Sequence, residues 1–93
     1  MQRHWGSDQT KKLKQRLTEL KAAANLGVMK TLPAARAHTL KANRQGQISL
    51  DLKDPYRLIV APDHEETPLL SDGGLDWDKV TKVNVLEVTD THD

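Results

Sequence analysis

The spacing of apolar residues switches part-way along this chain, and the switch narrows the possible folds more than any other feature. Between Asp8 and about Asn25, Leu13, Leu17, Leu20 and Ala24 recur at intervals of four, three and four, which lines one face of a helix. Ser7 or Asp8 is the expected N-cap, and Gly27, just past the run, the expected stop. Leu26 to Leu32 predicts a short second helix ended by Pro33, with Ala34 and Ala35 in the linker that follows. From Arg36 onward the period is two. Ile48, Leu50 and Leu52 alternate with Gln47, Ser49 and Asp51, as in a strand with one wet face.

Turn chemistry separates the strands. Asn43-Arg44-Gln45-Gly46 predicts a hairpin back to a short strand around Ala37 to Lys41, and Lys53-Asp54-Pro55 the next turn. Tyr56 to Ala61 is the most apolar strand. Lys82 to Thr89 is the last, with Val83, Val85 and then Leu86 and Val88 expected to face inward. Between these two lie about 18 residues, Pro62 to Lys79, with the Gly73-Gly74 pair and Trp77 as a candidate anchor. The expected class is α+β: N-terminal helices packed on one face of a small antiparallel sheet, forming a single domain over residues 1–93.

Composition removes several chemistries. The chain has no Cys, so disulfides, thiolate metal ligands and cysteine nucleophiles are excluded. No apolar run approaches the roughly 20 residues that cross a bilayer, and Met1 to Thr10 lacks the apolar stretch of a signal peptide. A cytoplasmic location is therefore expected. The four His residues show no metal-ligand spacing, so no metal or cofactor is expected. The net charge of +1 hides an asymmetry. Residues 1–57 hold 12 Lys/Arg against four Asp/Glu, and residues 58–93 hold two Lys against nine Asp/Glu. Such a split fits either a phosphate-facing surface or two halves that neutralise each other. The basic residues Lys11, Lys12 and Lys14 on the first helix carry the same two readings, as a solvated face or as an RNA-phosphate contact.

One cluster of side chains points to chemistry. His38, Lys41, Arg44 and Arg57 fall on adjacent strands or the turn between them, and His92 follows the last strand. Cations can stabilise charge developing on a phosphate while an imidazole moves a proton, which suits cleavage of RNA through its 2′-hydroxyl. The plainer reading of Arg57 is a salt bridge to Asp51 or Glu87, and of His92 a residue of a frayed tail.

The ordered segments His38-Thr39-Leu40-Lys41-Ala42-Asn43-Arg44-Gln45-Gly46-Gln47-Ile48-Ser49-Leu50, Pro55-Tyr56-Arg57-Leu58-Ile59 and Val85-Leu86-Glu87-Val88-Thr89-Asp90-Thr91-His92 resemble motifs of the plasmid-maintenance killer family, the HigB-type toxins of the RelE/ParE superfamily. Leu26-Gly27-Val28-Met29-Lys30-Thr31-Leu32-Pro33 is similar to that family's LxxLxxLP region. The resemblance implies a microbial-ribonuclease-like fold and a metal-independent mRNA endoribonuclease, an mRNA interferase that inhibits translation on the ribosome. It implies a HigA-type helix-turn-helix antitoxin as partner, with operator DNA reached only through that antitoxin. His38 and Lys41 would assist proton transfer or charge stabilisation, Arg57 would clamp the scissile phosphate, and His92 would be a general acid or base. Arg44, Lys11, Lys12 and Lys14 would bind RNA. The chain departs from the family pattern in three places. It lacks room for the family's first strand ahead of the helix, it has Thr91 where the family has Tyr, and Ala42 stands where the family has Gly. A sheet short of one strand is thus expected, or an edge completed by a partner strand. A catalytically inactive homologue, kept as an antitoxin- or nucleic-acid-binding module, is the alternative.

Overall fold

The computed structural model describes residues 6–40, 46–53 and 55–90. The first helix, α1, spans Gly6–Ala22 and the second, α2, Gly27–Lys30. Four strands follow: β1 (His38–Thr39), β2 (Ile48–Asp51), β3 (Arg57–Pro62) and β4 (Val83–Thr89). They form one antiparallel sheet in the order β1-β2-β3-β4, each strand paired with its neighbour in sequence. The result is the expected α+β arrangement. No helix among the described residues is long and apolar enough to cross a membrane.

Residues such as Leu13, Lys14, Gln15, Leu17, Glu19, Leu20 and Lys21 are strong helix formers, and Gln15 Nε2 donates to the Glu19 carboxylate one turn on at 3.1 Å. The helix nevertheless differs from expectation at both ends. Ser7 and Asp8 lie inside its first turn rather than at the cap. It closes at Ala22, and Ala24 is exposed outside it. The cause is tertiary: Leu26 N–H donates to Val80 O at 2.8 Å, drawing the chain away from the helix axis toward the end of the long loop. Gly27 therefore opens α2 instead of closing α1. A Cβ on Gly27 would meet the ends of the Asp78 and Asn25 side chains, which would have to turn aside where α2 approaches the Trp77–Lys79 turn. Ala34 and Ala35 also differ from a plain linker. Pro33–Ala35 is a 3-10 turn, and Ala35 is fully buried in the core.

The two sheet faces have different jobs. Ile48, Leu50, Leu58 and Val60 point to one face and join Leu26, Met29, Ala35, Leu52 and Val80 in the main core, against which Leu13, Leu17 and Leu20 of α1 pack. Fully burying such a side chain stabilises the fold by about 1.5–3 kcal/mol each. Trp77 rests half-buried against the same core, with Lys30 Nζ 4.9 Å above its ring, so it anchors the long loop as expected. The turn at Lys53 is also as expected, closed by Tyr56 N–H to Lys53 O at 3.0 Å.

The last strand breaks the expected alternation. Ile59 pairs with Glu87 but Val60 pairs with Val85, so Leu86 is an extra residue, a β-bulge. Val83 and Val88 are half-buried against the core, whereas Val85 is 52% exposed and Leu86 46%. Leu86 thus departs from the expected inward row, whereas Val85 faces inward as expected but is not buried. Val85 is on the core face, opposite Val60, but β4 is the sheet edge and nothing among the described residues covers it there.

Two polar side chains lock α1 onto the sheet. Arg16, 1% exposed, donates from Nε to Asp51 O at 2.7 Å, from Nη2 to Ala34 O at 2.9 Å and from Nη1 to Glu19 Oε1 at 3.1 Å. Gln9 is also buried; its amide donates to Lys53 O at 3.1 Å and accepts from Lys53 N–H at 3.2 Å. Both lie on the apolar stripe, Arg16 three residues after Leu13 and Gln9 four before it, so their burial was legible in the spacing although neither carries an apolar side chain.

Candidate functional site

The sheet face turned away from α1 carries the polar residues. Register places them in rows. Asp51 is opposite Arg57, which is opposite Thr89. In the next row His38 is opposite Ser49, Ser49 opposite Ile59 and Ile59 opposite Glu87. Directly opposed residues of antiparallel strands share a face, so His38 and Arg57 look out from the same side. They are two strands and one row apart. With about 4.8 Å between strands and about 6.8 Å between alternate residues, their Cα atoms are about 12 Å apart along the sheet diagonal.

Arg57 makes the pairing that the plainer reading expects. Its Nε lies 3.6 Å from Asp51 Oδ1, and Arg36 Nε lies 3.7 Å from Asp51 Oδ2. One carboxylate thus stands between two guanidinium groups. Arg57 is only partly buried and Arg36 is 78% exposed, so the pairs orient the arginines more than they stabilise the fold. Glu87 adds a second carboxylate on this face, opposite Ile59.

Arg36 was absent from the expected set. It sits in the left-handed region, at φ 44° and ψ 50°, where it ends the Pro33–Ala35 turn. A non-glycine residue there costs on the order of 1 kcal/mol. The conformation presents the Arg36 carbonyl to His38, whose Nδ1 lies 3.0 Å away. A carbonyl only accepts, so Nδ1 carries a proton and Nε2 is the nitrogen left for exchange with a substrate. The signal in the sequence is the Arg just upstream of the first short strand, at a distance that the turn geometry alone reveals.

The sheet between His38 and Arg57 is covered rather than exposed. Ser49 and Ile59 are fully buried on this face, and the Ser49 hydroxyl has no hydrogen-bond partner among the described residues. Leu40 is also buried.

The remaining expected site residues fall elsewhere. Lys41, Arg44 and His92 lie outside the described residues, as does Thr91. Lys11, Lys12 and Lys14 belong to α1, across the sheet from His38 and Arg57. Lys11 and Lys12 flank a shallow cleft with Gln15 and Lys53, and Lys14 borders a different groove along β4. The structure therefore brings His38 and Arg57 to one face, adds Arg36, and puts the three helix lysines on another. No protein-family model, curated protein or solved structure matches this chain.

Proposed function

We propose that this chain is a toxin of the HigB type in the RelE/ParE superfamily, a metal-independent endoribonuclease that cleaves mRNA on the ribosome in the cytoplasm and is neutralised by a HigA-type helix-turn-helix antitoxin. The reading rests on the three ordered sequence segments and on one observation: strand register puts His38 and Arg57 on the same face of the sheet, opposite the face on which α1 packs.

In the proposed reaction the ribose 2′-oxygen attacks the adjacent phosphorus. A base removes the 2′-hydroxyl proton, the bond from phosphorus to the 5′-oxygen breaks, and an acid protonates the departing 5′-oxygen. The products are a 2′,3′-cyclic phosphate and a 5′-hydroxyl. Arg57 suits the phosphate clamp: Asp51 lies beside its Nε, which leaves the terminal nitrogens for the phosphoryl oxygens. Arg36, on the far side of the same carboxylate, suits the RNA backbone. Nε2 of His38 suits proton transfer, with Lys41 and His92 as the other candidates for the acid and base.

The test is expression without antitoxin in a bacterial host, with mRNA 5′ ends mapped and growth followed. Cleavage and arrest are expected, and both should fall by at least tenfold in Arg57→Gln and in His38→Gln variants whose circular dichroism matches the parent. Cleavage unchanged in the double variant rejects this site. A stable complex with a helix-turn-helix partner, without cleavage during active translation, favours the non-catalytic binding module instead.

A further inference from the structure

The turn that follows β2 is fixed to the start of α1 by one buried side chain. Gln9 donates from Nε2 to Lys53 O at 3.1 Å, and its Oε1 accepts Lys53 N–H at 3.2 Å. A carboxamide that satisfies both main-chain groups of one residue holds the root of that residue's side chain in place. Lys53 thereby borders the same shallow cleft as Lys11, Lys12 and Gln15 of α1. Gln15 is four residues after Lys11 and three after Lys12, so these three share one flank of the helix.

The cleft has a volume of about 300 Å³, three of its four bordering residues are lysines, and no acid borders it among the described residues. Glu19, one turn past Gln15, is held by Arg16 and by the Gln15 amide. A concavity lined by one sign of charge focuses the field and concentrates counter-ions. No aromatic side chain borders the cleft, so it offers no platform on which a base could stack.

We infer that this cleft binds a run of linked phosphates, gripped by Lys11 and Lys12 from α1 and by Lys53, which Gln9 sets in place. An ammonium group recognises phosphate as a point charge rather than by shape. Three such groups rooted on two separate elements therefore suit several linked anionic centres better than one. A free polyphosphate and a nucleic-acid backbone present the same chemistry. The site lies on the helix side of the sheet, away from His38 and Arg57, and stands independently of the nuclease reading.

Titration calorimetry with tripolyphosphate, and fluorescence anisotropy with a short labelled oligouridine, test this. Both use the full chain carrying His38→Gln and Arg57→Gln, so that the sheet face adds neither binding nor cleavage. Tripolyphosphate should bind at least tenfold more tightly than orthophosphate. Lys11→Gln, Lys12→Gln and Lys53→Gln should each weaken binding about threefold, and the triple variant by at least tenfold. Gln9→Leu keeps every charge and, where its circular dichroism matches the parent, should weaken binding about as much as Lys53→Gln. Lys21→Gln and Lys82→Gln, at exposed lysines outside the cleft, should have no effect. For oligouridine, each cleft lysine removed should lower the slope of log affinity against log salt by about 0.7. Lysine-dependent binding of oligouridine supports the inference and assigns the phosphates to a nucleic-acid backbone. Lysine-dependent binding of tripolyphosphate alone supports it and assigns them to a free polyphosphate. Binding of neither probe overturns the inference, as does orthophosphate binding as tightly as tripolyphosphate. So does a loss in Lys21→Gln or Lys82→Gln equal to that in the cleft variants, which would mean a diffuse surface field, or undiminished binding by a folded Gln9→Leu variant.

Discussion

Removing Arg16 tests whether a buried cation holds this fold together. Its guanidinium makes two hydrogen bonds to main-chain carbonyls, at Asp51 and Ala34, and one to Glu19. Hydrogen bonds from a charged donor are worth about 1.5–3 kcal/mol each. The pair with Glu19 adds little, because that carboxylate keeps 24% of its side-chain surface in water. Replacement by Met keeps most of the apolar stem and loses all three bonds, while water recovers part of the loss at the freed carbonyls. The expected cost of Arg16→Met is therefore about 3–4 kcal/mol. Arg16→Lys, able to reach one carbonyl, should cost about half that. Domains of this size hold about 5–14 kcal/mol in total, so the Met variant should remain folded in buffer but unfold far earlier in urea. At a slope of about 1 kcal/mol per molar urea, the midpoint should fall by about 3 M. Urea titration followed by circular dichroism at 222 nm measures it. A loss under 0.5 kcal/mol would refute the reasoning, because it would mean that Arg16 gains nothing from its partners beyond what water offers.

Three further outcomes follow from the same geometry. Gln9→Leu breaks two hydrogen bonds to Lys53 and should cost about 1–2 kcal/mol by urea titration; no loss would show that the amide clamp is idle. Gly27→Ala should cost under about 1 kcal/mol, and Asp78→Ser should recover it in the double variant, since the movable end of an exposed carboxylate is what the new methyl meets. Failure of that rescue would put the strain in the backbone instead. Ser49→Ala removes a buried hydroxyl without a partner and should be neutral or stabilising by up to about 1 kcal/mol. A clear loss in thermal melting would mean that the hydroxyl is bonded.

Much of this architecture was readable because local rules and tertiary demands agree. Ile48, Leu50 and Leu52 alternate in the sequence and are all buried in the structure, but the wet face expected for the alternate residues is corrected at Ser49, which is fully buried too. The Lys53 turn forms where Asp-Pro predicts it. Reading failed where a distant contact decides. Nothing near Ala22 stops a helix; the bond from Leu26 to Val80, more than 50 residues away, does. Nothing in the run Val83 to Thr89 marks Leu86 as an extra residue, because a bulge belongs to the pairing of two strands. For the site, Arg57 and its partner Asp51 followed from the cost of leaving a charge unpaired in an apolar strand. Arg36 did not, because its place depends on a left-handed turn that only the fold imposes.

The sheet is a meander in which each strand pairs only with its neighbour in sequence. The β2–β3 pair closes a short turn, which favours rapid formation of that hairpin, whereas β4 joins only across the 20 residues 63–82. The helix α1 is placed differently. It precedes the sheet, but the Asp51 carbonyl that receives Arg16 lies 35 residues downstream. During synthesis α1 must therefore wait, with its cation solvated, until β2 has formed.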